Sequence, residues 1–167
     1  MYMEFLFVIY DYFVILKKRI LWFDWGIPSI IGIVCLIRSF GFGIDSQYGI
    51  IEKSFGYVGT LLGFTLAALT LLLSSEKMKE VREYQTETVL HNRKATLYEL
   101  MVVSYTYLIV VEGILCISFF IAQVFDFVYI RSIAIIMNTA YIVLLFNVLS
   151  VTKRTVVDMN FIIMKRK

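Results

Sequence analysis

Glu112 stands in the run Tyr-Leu-Ile-Val-Val-Glu-Gly-Ile-Leu-Cys, with apolar neighbours for more than a helical turn on each side. A charge at the centre of a hydrocarbon layer costs at least about 2.5 kcal/mol on insertion scales, so an acid in such a run must face protein or enclosed water. On a helix, Tyr105, Glu112, Cys116 and Gln123 follow one another at seven, four and seven residues and fall on one face. That face is expected to look into a helix bundle or along an oligomer axis. If the next span runs antiparallel, Asn138 reaches the depth of Glu112 and can hydrogen-bond to it. Three roles follow for this polar set. It can join helices at roughly 0.6 to 2 kcal/mol per hydrogen bond, carry protons or ions across the layer, or mediate contact between subunits.

Two further patterns bear on association. Gly59, Gly63 and Ala67 recur every fourth residue in Gly-Thr-Leu-Leu-Gly-Phe-Thr-Leu-Ala. Small residues on one face let helix backbones approach closely, within one chain or between copies. Lys77, Lys79, Arg82, Arg93 and Lys94 lie in the charged stretch 75–99, the largest polar piece of the chain, and are the expected contact for a cytoplasmic protein.

The inventory for enzyme chemistry is thin. His91 is the single histidine and sits in that charged stretch. No Cys-x-x-Cys, His-Glu-x-x-His, Gly-x-Ser-x-Gly or P-loop pattern occurs. One intramembrane acid does not assemble a nucleophile, a base and an electrophile. Neither catalysis nor a metal or other cofactor is expected. Cys35 and Cys116 fall inside apolar runs and read as small hydrophobes.

These residues need a membrane to make sense. The chain is 60% hydrophobic and 17% charged over 167 residues, and a mean hydropathy of +0.81 is too high for an ordinary soluble domain. Long unbroken apolar runs, rather than short alternating segments, exclude a transmembrane barrel. Four stretches, 26–42, 55–74, 100–125 and 127–151, approach the length needed to cross. Pro28 just behind Gly26 marks the start of the first, with Asp24 near the positive end of its dipole. Residues 5–16 are apolar and aromatic but too short to span, and Lys17, Lys18 and Arg19 follow at once. They are read as a helix in the cytoplasmic interface, with Tyr2, Tyr10, Tyr12, Trp22 and Trp25 at headgroup level. The competing reading is one long tilted helix over 5–42 interrupted by that basic cluster.

Lysine and arginine set the orientation. With the amino terminus inside, thirteen fall on the cytoplasmic side and only Arg38, Lys53 and Arg131 outside, a strong positive-inside bias. The fold class is therefore an all-α integral membrane protein. It is a four-transmembrane-helix bundle with an N-terminal interfacial segment (1–25), spans 1 and 2 (26–74), a cytoplasmic helical hairpin (75–99), spans 3 and 4 (100–151) and a basic cytoplasmic tail (152–167). The hairpin is expected to continue both flanking helices, because it holds no glycine or proline. The tail, with Lys165, Arg166 and Lys167, fixes topology and touches anionic lipid. A net charge of +3 is too small to indicate direct nucleic-acid binding.

In size, span count, inside termini and the charged stretch after Leu-Leu-Leu-Ser-Ser-Glu-Lys, the chain resembles the small four-span membrane subunits of bacterial anti-phage defence systems, especially that of the Kiwa system. The resemblance implies a homo-oligomer of the bacterial inner membrane that detects disturbance of the envelope and controls a cytoplasmic effector. Read from the residues, the expected function is an oligomeric scaffold or sensor subunit that recruits a cytoplasmic partner. The alternative is a small channel or membrane-disrupting effector lined by Glu112, Gln123 and Asn138.

Overall fold

The apolar runs fold into helices long and apolar enough to cross a membrane at Trp22–Gly41, Lys53–Ser74, Leu97–Ile121 and Ile133–Asn160. The computed structural model describes residues 4–42, 45–74, 84–90, 93–125 and 131–164. Its elements are α1 (Glu4–Ile15), α2 (Lys18–Leu21), a π-helical turn (Trp22–Gly26), α3 (Ile27–Phe42), α4 (Asp45–Ser74), β1 (Gln85–Leu90), β2 (Arg93–Thr96), α5 (Leu97–Phe125) and α6 (Arg131–Met164).

The long helices pack as a row. α4 lies on α5, α5 on α6 and α6 on α3, with α4 also reaching α6. The two middle members are 44% and 39% buried over their most apolar windows, against 22% and 17% for the outer pair. Phe55 stacks on Phe119 at 4.4 Å between α4 and α5. Ser54 Oγ donates to the Tyr141 hydroxyl at 3.3 Å between α4 and α6. Gly32 brings α3 close to α6, where a Cβ would collide with Val143 Cγ2. The core runs along the middle pair through Leu108, Leu115, Val148 and Val151, and takes in Val58 and Leu72 from α4 and Tyr12 from α1. Hydroxyls inside the helices find partners locally. Thr60, Thr65, Thr70 and Thr106 each donate to the carbonyl four residues back at 2.8 to 2.9 Å.

Three expectations are corrected. Gln85–Leu90 and Arg93–Thr96 are not helical but pair as antiparallel strands, with Val89 opposite Lys94 and Leu90 opposite Arg93. The run Gln-Thr-Glu-Thr-Val-Leu in β1 is half β-branched, which suits a strand. The absence of glycine and proline permits a helix without requiring one. Leu90 and Ala95 are buried with Ile15 of α1, so packing fixes the hairpin in place. A register shift between Gln85 and Val89 interrupts the ladder. Residues 75–83 and 91–92 of the charged stretch, including Lys77, Lys79, Arg82 and His91, lie outside the described residues.

The chain turns back to helix through a capping box. Thr96 Oγ1 accepts from the Glu99 backbone N–H at 3.2 Å, and Glu99 Oε2 accepts from the Thr96 N–H at 2.9 Å. Arg93 pairs with the same carboxylate.

The other two corrections concern helix ends. α4 begins at Asp45, well before the expected span, and α6 continues to Met164, so most of the expected basic tail is helix. α3 starts at Ile27, between Gly26 and Pro28 as expected, and the π-helical turn joins it to α2. The break in the amino-terminal helix falls at Leu16 and Lys17, so residues 5–42 are not one helix. α1 rests against α5 and β1 through the buried Tyr12 and Ile15.

Candidate functional site

The densest buried polar cluster joins α1, the π-helical turn, α5 and α6 at one end of the helices. A π turn inserts an extra residue into the helix and redirects the side chains around it, and such turns concentrate at functional sites. Here it carries Asp24 inward, wholly removed from solvent, while Trp22 stays exposed. Gly26 permits the turn, since a Cβ there would lie 2.6 Å from the Trp22 ring.

Asp24 Oδ2 accepts from the Tyr12 hydroxyl at 2.7 Å and pairs with Arg154 Nη2 at 3.1 Å. Arg154 Nη2 also donates to the Tyr12 oxygen at 3.3 Å, and its guanidinium stands 5.8 Å from the Tyr12 ring centroid. The Tyr12 ring stacks on Tyr107 of α5, with centroids 3.6 Å apart and planes within 3°. Burial, reinforced by the hydrogen bond to Asp24, raises the Tyr12 phenol far above its ordinary pKa of 10.0. Tyr12 therefore remains a donor to Asp24.

Asn147 completes the cluster from α6. Its Oδ1 accepts from the Tyr107 hydroxyl at 2.8 Å, and its Nδ2 donates to the Asp24 backbone carbonyl at 2.8 Å. The second bond answers a vacancy set by sequence. In an α-helix that carbonyl would accept from residue 28, which is Pro28 and has no N–H. An unsatisfied carbonyl in an apolar setting is costly, and the buried Asn147 amide supplies the missing donor. Asp24 Oδ1, Arg154 Nε and Trp25 Nε1 are buried without hydrogen-bond partners.

The residues expected to act together do so only in part. Glu112 is fully buried, but its partner is on α4: Thr65 Oγ1 lies 3.1 Å from Glu112 Oε1 and 2.9 Å from the Leu61 carbonyl. The Thr65 hydroxyl is shared between Glu112 Oε1 and the Leu61 carbonyl as a three-centre bond. The expected bond from Glu112 to Asn138 does not form: Glu112 bonds to Thr65 of α4 through Oε1, and Glu112 Oε2 and Asn138 Nδ2 are both buried without hydrogen-bond partners. Tyr105 is buried too and donates to Met159 Sδ at 3.3 Å. The side chain of Gln123 lies outside the described residues. Gly59, Gly63 and Ala67 point away from the other helices, with open space where a Cβ would stand at either glycine. Arg93 and Lys94 are exposed on β2.

Asp24, Tyr12, Arg154, Tyr107 and Asn147 are not brought together by sequence reasoning, which assigns the first three to a helix dipole, a headgroup belt and a topology count. Two signals were available: Pro28 four residues after an acid, and Asn147 alone in the apolar run Leu-Leu-Phe-Asn-Val-Leu. Among the described residues no group of three or more His, Cys, Asp or Glu side chains converges. The cluster therefore acts as a clamp, closing three donor side chains on one carboxylate and its carbonyl, and presents no free nucleophile.

Fold and site together define a helical protein with four helices long and apolar enough to cross a membrane, locked at one end by a buried ion pair. No family model, curated protein or solved structure matches it.

Proposed function

We propose that the chain is an oligomeric subunit of the bacterial inner membrane, with both ends in the cytoplasm, that recruits or regulates a cytoplasmic protein. Its resemblance in layout to the small four-span membrane subunits of anti-phage defence systems is the support for a role in such defence. The observation that carries this reading is the Asp24–Arg154 clamp. α6, with 34 residues, is about 51 Å long at 1.5 Å per residue, against a hydrocarbon core of about 30 Å. Counted from the outer end, Arg154 stands at the cytoplasmic headgroup level. The clamp ties α1 to the spans there, and α1 in turn holds the hairpin through Ile15. The clamp thereby supports a cytoplasmic face with Tyr84, Val89, Arg93 and Lys94 exposed upon it.

The outer helices support assembly in lipid. α3 exposes Ile33, Val34, Ile37 and Phe40, and α4 exposes Tyr57, Phe64 and Leu71. Such faces suit lipid or a second copy. The glycine face of α4 lies on this unpacked surface. A pore is less well supported, since the buried Leu108, Val111 and Leu115 surround Glu112 on its own helix and, among the described residues, it hydrogen-bonds to Thr65.

A photo-crosslinking amino acid in place of Lys94 or Val89 tests the reading in cells. Capture of one cytoplasmic polypeptide from the hairpin, and of a second copy from position Phe64, is expected. A hairpin that captures nothing while the protein remains active contradicts it.

A further inference from the structure

Beside the clamp, Ile20 and Phe23 face Lys153, Arg154 and Val157 of α6 across a groove of about 350 Å³. We infer that this groove binds one anionic phospholipid of the cytoplasmic leaflet. The inference rests on the membrane reading above and adds a specific ligand to it.

The walls and the rim call for different chemistry. Phe23 and Val157 are exposed and Ile20 half-buried, a wall that an acyl chain covers and that a free anion cannot use. Lys153 is exposed at the rim. Asp24 engages Nη2 of Arg154, which lines the groove with its side chain 17% exposed. The basic run Lys17, Lys18 and Arg19 immediately precedes Ile20 in the chain. By the helix-length count, Lys153 and Arg154 stand where lipid phosphates lie. A phosphate on Lys153 with its chain along Phe23 and Val157 satisfies both parts.

The test uses the full chain in nanodiscs of phosphatidylcholine with a minor share of phosphatidylglycerol. The nanodiscs are released into neutral detergent and weighed intact with the lipids retained. Phosphatidylglycerol should be enriched over its share by about fivefold or more, the factor for one cation at an anionic surface. Lys153→Gln should remove about fivefold of that preference, whereas Lys94→Gln on the hairpin should leave it intact. Phe23→Ser should lower retention of both lipids. Inorganic phosphate should displace neither. Retention in proportion to bilayer composition, equal losses in the two lysine variants, or displacement by inorganic phosphate overturns the site while leaving the membrane reading in place. Failure of the chain to enter nanodiscs at all overturns both.

Discussion

Arg154 Nη2 stands 3.1 Å from Asp24 Oδ2, and that carboxylate is wholly out of solvent. Removing one partner of such a pair leaves a buried charge uncompensated, at about 3 to 5 kcal/mol. Asp24→Asn and Arg154→Gln are each expected to destabilise the detergent-solubilised protein by that order, and the double variant to recover much of the loss. Denaturation midpoints for the three variants check this. Single variants within about 0.5 kcal/mol of the parent would be the behaviour of a surface pair.

Asn147 and Pro28 form a second coupled pair through the Asp24 carbonyl. Asn147→Leu strands that carbonyl and the Tyr107 hydroxyl, at about 1 to 3 kcal/mol for each unsatisfied group. Pro28→Ala restores a backbone N–H in the turn. It is expected to rescue part of the Asn147→Leu loss, measurable as a positive coupling in a double-mutant cycle. Strict additivity would mean that the amide does not stand in for the missing donor.

The raised Tyr12 phenol fixes the sign of one pH dependence. Below the unfolded value of 10.0 the phenol is protonated in both states and stability does not depend on it. Above that value the unfolded chain releases the proton and the folded chain keeps it, so stability is lost as pH rises. Thermal midpoints should fall more steeply above about pH 10 in the parent than in Tyr12→Phe. Equal slopes would place the phenol in ordinary solvent.

Glu112→Gln keeps an acceptor beside Thr65. Its expected effect on stability is about 0.6 kcal/mol, the average for an interhelical hydrogen bond in a membrane. Recruitment of the cytoplasmic partner should be unchanged, and proteoliposomes of the parent should pass no more ions than empty ones. Flux that depends on Glu112 would move the protein to the channel class.

Thr96→Ala removes one arm of the capping box at the start of α5. A loss of about 1 kcal/mol is expected, with faster amide exchange over Arg93–Thr96 while the middle of α5 stays protected. Unchanged exchange in the hairpin would uncouple it from the helix it leads into.

The helices were legible because apolar runs of bilayer length have few alternatives. Glu112 announced its burial for the same reason. The hairpin was not legible: charge content and lack of breakers are neutral between helix and strand, and Leu90 and Ala95 become anchors only once Ile15 is beside them. The clamp was hidden because its members come from four elements, and each has a local reading that suffices alone. Arg154 looked like a topology signal and Tyr12 like a headgroup anchor. Two local traces were present: Pro28 four residues after Asp24, where an α-helical donor is missing, and Asn147 alone in its apolar run.

The intact mass of the tagged chain, purified gently from native membranes, tests the proposed function most directly. A discrete homo-oligomer carrying a stoichiometric cytoplasmic polypeptide, lost in a variant with Arg93 and Lys94 reversed to glutamate, is the expected result. An active species containing this chain alone would contradict it.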